Sequence, residues 1–123
     1  MFVESIELNN YRNFDSLKVE FSPGVNIFFG DNAQGKTNLL ESIYVSGTLR
    51  SHRGSRDKDL IRFGEDEAHI RLFFRKDSLS HRLDVHLKKN KSKGVAVDGV
   101  PVRRSGELPV SYTHLTLPTN SRV

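Results

Sequence analysis

The stretch that decides the fold lies at residues 30–37 and reads GDNAQGKT. Two glycines separated by four residues and followed by Lys-Thr match the pattern G-x-x-x-x-G-K-[ST], the sequence form of a phosphate-binding P-loop. The apolar residues 25–29 predict a strand before it, and apolar positions at helical spacing in 38–44 predict a helix after it. A strand, a loop and a helix in this order form the setting in which the pattern binds nucleotides.

Each residue type in this stretch suits a polyphosphate. Gly30 and Gly35 allow backbone angles and a close phosphate approach that a Cβ would hinder. Backbone N–H groups of the loop and of the helix start attract anions. Lys36 supplies a charge for the β- and γ-phosphates, and Thr37 offers a hydroxyl to Mg²⁺. The expected nucleotide-site residues are Gly30, Asp31, Asn32, Ala33, Gln34, Gly35, Lys36, Thr37 and Asn38.

Length and composition bound the class of protein. The chain has 123 residues, no cysteine and a formal net charge of +4, which fits one small domain without disulfides or a cysteine-based metal site. The basic excess is compatible with a polyanionic partner, and equally with a piece whose acidic remainder is missing. No apolar run approaches the ~20 residues of a membrane span, and no signal pattern opens the chain. We therefore expect no membrane association and a cytoplasmic location.

The second half of the chain predicts antiparallel strands. Apolar and polar residues alternate in 68–74 and again in 82–87, and the loop between them is expected at 76–80. Asp98 and Gly99, placed between two Val-containing runs, predict a two-residue hairpin.

The first half predicts a strand at 2–8, a turn at Asn9 and Asn10, a strand at 17–21, and a helix ending at 45 or 46. Mixed strands, one P-loop helix and a run of antiparallel strands indicate an α/β or α+β fold. A Walker B stretch is missing, since the nearest acidic cluster, 65–67, does not follow an apolar run. The chain therefore has the pattern of part of an enzyme.

Four stretches together resemble the RecF family of bacterial DNA replication and repair proteins, which belongs with the SMC-like ATPases of ABC type. They read LNNYRNF at 8–14, NAQGKTNLLE at 32–41, RSHR at 50–53 followed by KDLI at 58–61, and VDG at 97–99. The resemblance covers residues 1–109. It implies an α/β fold, namely a partial P-loop NTPase of ABC-ATPase-head type with an antiparallel β subdomain.

The resemblance also implies a function and further site residues. ATP and Mg²⁺ are the implied cofactors, and Arg12 and Asn13 are expected near the nucleotide. Arg50, His52 and Arg53 become candidates for contact with phosphate or DNA.

RecF-like proteins are expected to form an ATP-dependent homodimer and to bind single- and double-stranded DNA near gaps. They are expected to work with RecO and RecR in loading RecA during repair, fork maintenance and the SOS response. The family's Walker B and signature motifs do not fall within the matching residues, so we expect this chain alone not to hydrolyse ATP.

The last residues do not follow the family pattern. Residues 110–123 resemble translated transposase-adapter sequence and are expected to be non-native, which leaves 1–109 as the ATPase-head part. Two other interpretations stay open. One is a piece of another SMC-like ATPase, and the other is a non-hydrolysing nucleic-acid-binding module whose P-loop is only structural.

Overall fold

The computed structural model describes residues 2–21, 26–27, 33–49, 54–102 and 121–122. About half of them form a six-stranded antiparallel sheet, against which one long helix packs. In chain order the elements are β1 (Phe2–Tyr11), β2 (Phe14–Glu20), β3 (Asn26–Ile27), α1 (Ala33–Thr48), α2 (Asp57–Leu60), β4 (Glu67–Lys76), β5 (Leu79–Lys88), β6 (Gly94–Val97), β7 (Val100–Val102) and β8 (Ser121–Arg122).

The strand order of the large sheet is β2-β1-β4-β5-β6-β7. β1 pairs with β2 on one side and with β4 on the other, so it connects the two halves of the described chain. In this register Ile6 lies opposite Val19 on β2 and Leu72 on β4. One face of the sheet is therefore apolar across three neighbouring strands.

The core lies between this face and α1. The alternation predicted for 68–74 and 82–87 is confirmed, because every second residue is buried in 68–74 of β4 and in 83–87 of β5. α1 packs against both strands, with Leu39 and Ile43 among its buried side chains. The buried apolar residues from the three central strands are Val3, Ile6, Leu8, Tyr11, Ala68, Ile70, Leu72, Phe74, Leu83, Val85 and Leu87.

Both predicted hairpins are confirmed. The β6–β7 hairpin turns at Asp98 and Gly99, whose φ angles of 51° and 82° are those a two-residue hairpin favours. We call this pair the Asp98 turn. The β4–β5 loop is shorter than the expected 76–80, because Lys76 and Leu79 still pair across the sheet. Only Asp77 and Ser78 form the turn there.

The turn predicted at Asn9 and Asn10 is wrong. β1 continues to Tyr11, and the reversal into β2 occurs at Arg12 and Asn13, which we call the Arg12 turn. Pairing with β4 holds Asn9 in the ladder, and an antiparallel bridge to Ile61 holds Tyr11. Tertiary pairing thus overrides the local preference of two asparagines for a turn.

The helical segments differ from expectation in their bounds. α1 begins at Ala33, inside the P-loop pattern, and runs to Thr48 rather than ending at 45 or 46. The short helix α2 was not predicted. Among the residues described, no helix is long and apolar enough to span a bilayer.

The predicted strand at 25–29 is described only at β3, which pairs in parallel with β8. Its other residues lie outside the described ranges, as do 103–120 and 123. The predicted boundary near 109 and the non-native origin of residues 110–123 therefore stay predictions.

Candidate nucleotide site

The start of α1 carries the described part of the P-loop pattern. Ala33 to Asn38 are helical, Lys36 and Thr37 are half-buried, and Asn38 is buried. The first turn of α1 holds no acidic side chain. The Lys36 ammonium forms no hydrogen bond or ion pair with the part of the chain that the structure describes. A cation beside a helix N-terminus without competing carboxylates suits a phosphate group.

Other predicted site residues lie outside the described ranges. Among them are Gly30, Asp31 and Asn32 of the P-loop pattern and the DNA candidates Arg50, His52 and Arg53.

Asn13, predicted near the nucleotide, contacts α1 directly. Its Oδ1 accepts a hydrogen bond from Asn38 Nδ2 at 2.7 Å. Asn38 follows Thr37 in the helix, so the Arg12 turn lies beside the residue next to the predicted magnesium ligand. The structure thus brings together Asn13 and Asn38, two residues that are distant in sequence.

Arg12 contacts the same helix one turn further along. Its Nε donates to Glu41 Oε1 at 3.0 Å, and its Nη2 donates to Glu41 Oε2 at 2.9 Å. The Tyr11 hydroxyl donates to the same Oε1 at 2.7 Å. The Glu41 side chain is 0% exposed and that of Arg12 is 22% exposed. The paired carboxylate raises the pKa of Arg12, so the guanidinium carries its charge throughout.

The segment 54–62 supplies a third anchor for this turn. The Arg12 backbone N–H donates to the carbonyl of Leu60 at 2.8 Å, and Arg62 N–H donates to the carbonyl of Asn10 at 2.7 Å. Arg12 Nη2 also donates to Ser55 Oγ at 2.8 Å. The Arg12 turn is therefore held by α1 on one side and by residues around α2 on the other.

The backbone of Arg12 is strained. Its φ of 52° lies in the left-handed region, which a long side chain disfavours. Such conformations persist where surrounding contacts fix them, and they concentrate at functional sites. Here the fixing contacts are those to Glu41 and Leu60.

Sequence reasoning missed Glu41 as part of this site. The signal was present, since Glu41 is a lone carboxylate in the otherwise uncharged run of 39–45. Glutamate is almost never fully buried unless it is paired. A charged residue on the predicted core face of a helix could therefore have been assigned a basic partner before the fold was known.

An open cleft of about 570 Å³ lies beside the Arg12 turn. Its lining includes Arg12, Lys58, Arg62 and Lys89, together with two acidic residues, Asp59 and Glu65. Positive groups outnumber negative ones there by four to two. This end of the sheet therefore favours anions.

Among the described residues, the acidic and imidazole groups elsewhere do not form a catalytic centre. The cluster 65–67 is exposed at the start of β4. His69 stacks on His86 with ring centroids 4.0 Å apart, and desolvation together with the neighbouring His86 lowers the pKa of His69. Within the described ranges, no group of three or more His, Cys, Asp or Glu residues could hold a metal ion.

Known protein families include relatives of this chain. The family described as AAA domain matches residues 5–107. The chain belongs to the AAA domain family. It is similar to DNA replication and repair protein RecF from Lachnoclostridium phytofermentans, at 56% identity over 108 residues, which cover 88% of this chain and 30% of that protein. The chain is also similar to RecF from Clostridium perfringens, at 44% identity and with the same coverage of the two proteins.

Solved structures agree with this assignment. The recombination mediator protein RecF, solved as RecF-ATP, has a TM-score of 0.80 at 37% identity and covers 85% of this chain and 29% of that chain. An SMC ATPase has a TM-score of 0.79 at 20% identity, covering 94% of this chain and 81% of that one. At that identity the SMC likeness shows the fold alone.

The predicted resemblance to RecF and the predicted fold class are therefore confirmed. The chain spans about 30% of the length of the curated relatives it matches.

Proposed function

We propose that this chain is the N-terminal part of a RecF-type ATPase head and that residues 30–38 hold MgATP. The observation that carries the proposal is the fixed position of the Arg12 turn against α1. Asn38 and Glu41, which hold that turn, lie one and four residues after Thr37. The P-loop pattern and the Arg12 turn, the two segments that the family resemblance expects at the nucleotide, are thus both joined to α1.

The residues present fit a nucleotide. Lys36 provides charge for the phosphates, Thr37 provides a hydroxyl for Mg²⁺, and the helix start provides N–H groups. Arg12 and Asn13 add a guanidinium and an amide from the neighbouring turn. When bound, Mg²⁺ would neutralise part of the phosphate charge. The relative described as RecF-ATP supports the choice of ATP among nucleotides.

Hydrolysis requires groups that the described part of this chain does not bring together. A second acidic metal ligand and a water-positioning group are needed beside the P-loop. The cluster 65–67, the nearest acidic run, is exposed at the start of β4 rather than at the end of a buried strand. We therefore propose nucleotide binding without useful turnover for the chain alone.

The proposed partners follow from the same assignment. DNA, near gaps and in single- or double-stranded form, would meet Arg50, His52 and Arg53. RecO, RecR and a second copy bound through ATP complete the assembly in which the whole protein would act in the cytoplasm. The name of the RecF relatives, DNA replication and repair protein, supports DNA as the first of these partners.

Nucleotide titration tests the proposal. A fluorescent ATP analogue with Mg²⁺ should bind the wild-type chain and lose most of its affinity for Lys36→Ala, because the substitution removes the principal cation for the phosphates. Lys91→Ala is the matched control, since Lys91 is an exposed lysine in the loop between β5 and β6.

Equal binding by wild type and Lys36→Ala would contradict the proposed site. It would favour the alternative of a nucleic-acid-binding module with a structural P-loop, and an oligonucleotide titration of the same two proteins would then examine that alternative.

A further inference from the structure

Glu41 has an unusual position for a helix residue. Its carboxylate is completely buried, and its two oxygens accept hydrogen bonds from Tyr11 and Arg12 at the end of β1. A buried carboxylate is costly unless it is paired. One of its partners, Arg12, belongs to a strained turn rather than to a regular element.

Within the described ranges, the guanidinium of Arg12 is held along one edge. Its Nε and Nη2 atoms donate to Glu41, and Nη2 also donates to Ser55 Oγ. A guanidinium carries five N–H groups in a fixed plane. With the described part of the chain, the two on Nη1 form no hydrogen bond, and Arg12 lines the open cleft. Glu41 thus fixes the plane of the group while the opposite edge keeps its donors.

The helix sets how far Glu41 lies from Thr37 of the P-loop pattern. Glu41 follows Thr37 by four residues, which corresponds to about 6 Å along an α-helix axis. Asn38 holds Asn13 between these two levels. A shift of the Arg12 turn relative to α1 would therefore require breaking contacts to both Asn38 and Glu41.

We propose that Glu41 is a positioning residue, which holds Arg12 so that its remaining N–H groups meet the phosphates of the nucleotide bound by residues 30–38. This inference rests on the proposed function. Glu41 itself does not touch the ligand. Bidentate pairing fixes a guanidinium in orientation as well as in position, which a lysine in its place could not reproduce.

A double-mutant cycle in nucleotide affinity tests the inference on the 123-residue chain. Arg12→Ala should weaken binding of the MgATP analogue at least about tenfold, the equivalent of one charge-assisted hydrogen bond. Glu41→Gln should weaken it by roughly three- to tenfold, in the range of coupling between contacting residues. The double variant should bind no more weakly than Arg12→Ala, because Glu41 acts through Arg12. Additive losses, or wild-type affinity in Glu41→Gln, would overturn the proposal.

Two neighbours on β5 provide the controls. Val85→Ala makes a cavity in the core and lowers stability away from the site, so its folded fraction should bind like wild type. Asp84→Asn applies the same carboxylate-to-amide change to an ion pair with Arg71 on the outer face. Affinity losses in either control as large as that of Glu41→Gln would show that Glu41 acts through general stability.

The remaining outcomes separate this inference from the proposed function. If Lys36→Ala binds as tightly as wild type, the nucleotide site fails and this inference fails with it. If Lys36→Ala loses binding while Glu41→Gln does not, only the inference fails. Should Glu41→Gln not fold, Arg12→Lys takes its place: it keeps the charge, loses the bidentate contact, and should bind more weakly than wild type.

Discussion

Two turns of the sheet reverse the chain in the same way with opposite kinds of sequence. The Arg12 turn and the Asp98 turn each have two residues, and each contains a residue with φ near 50°. Asp-Gly suits that conformation, whereas Arg-Asn does not. The Asp98 turn is held by β5, the strand that pairs with its own hairpin. Asp98 accepts a hydrogen bond from the Arg82 N–H at 2.8 Å and contacts His81 Nδ1 at 2.7 Å, 16 and 17 residues earlier in the chain.

The Arg12 turn is held instead from distant segments. Its contacts run to Asn38, Glu41, Ser55 and Leu60, which lie 25 to 43 residues away for the side-chain bonds. A turn whose sequence disfavours its conformation lowers the stability of the fold, and such turns are found where they serve a function. We assign that purpose to nucleotide binding at the Arg12 turn, and only a structural role to the Asp98 turn.

Of the substitutions that test this contrast, Glu41→Ala should lower the free energy of unfolding the most. It removes the acceptor of both Arg12 and Tyr11 and leaves a cation without its partner. We expect a loss of about 2–4 kcal/mol in the free energy of unfolding, less than the ~3–5 kcal/mol of a fully buried pair because Arg12 reaches solvent. Urea unfolding measures it. A loss below about 0.5 kcal/mol, as for a surface residue, would show that Glu41 does not anchor the Arg12 turn.

Gly99→Ala should have a smaller effect, confined to the Asp98 turn. The φ of Gly99 is 82°, and an added Cβ would meet nothing closer than 3.7 Å, so the cost is conformational rather than steric. We expect a loss of about 1–2 kcal/mol in unfolding free energy.

Gly94→Ala is the control for that substitution. Gly94 does not have a positive φ, and its added Cβ would lie at ordinary contact distance, 3.8 Å from His86 Cβ. A loss as large as that of Gly99→Ala would contradict the conformational explanation.

Asp98→Asn should have the smallest effect, and it should depend on pH. The hydrogen bonds from His81 and from the Arg82 N–H lower the pKa of Asp98 below its ordinary value of 3.8. The ionised carboxylate therefore stabilises the fold above about pH 4, and this contribution is lost as pH falls through the lower folded value. The stability difference between wild type and Asp98→Asn, measured by thermal unfolding, should shrink from pH 6 to below about pH 3. A constant difference across that range would refute this role.

The contrast also explains how much the sequence could predict. The Asp98 turn was predictable because its signal is local and agrees with its structure. The alternation in β4 and β5 was predictable for the same reason, since one face of each strand is buried. The P-loop pattern and the resemblance to RecF located α1 and the candidate site without any knowledge of packing.

What the sequence could not give was the set of long-range contacts. Asn9 and Asn10 favour a turn locally, and Asn10 does have a φ of 53°. Pairing of Asn9 with β2 and β4 and the bridge between Tyr11 and Ile61 nevertheless carry β1 on to Tyr11. Glu41 was missed because its role depends on a partner 29 residues earlier in the chain. Propensity and spacing report neighbours in sequence, whereas this site is assembled from segments that meet only in the fold.

Amide chemical shifts on addition of MgATP test the central claim most directly. If one site binds the nucleotide, resonances of Lys36 and Thr37 should move together with those of Arg12 and Asn13 at the same ligand concentration, while those of the Asp98 turn should stay unchanged. Shifts confined to Lys58, Arg62 and Lys89 of the cleft, or equal shifts at both turns, would contradict a nucleotide site built from α1 and the Arg12 turn.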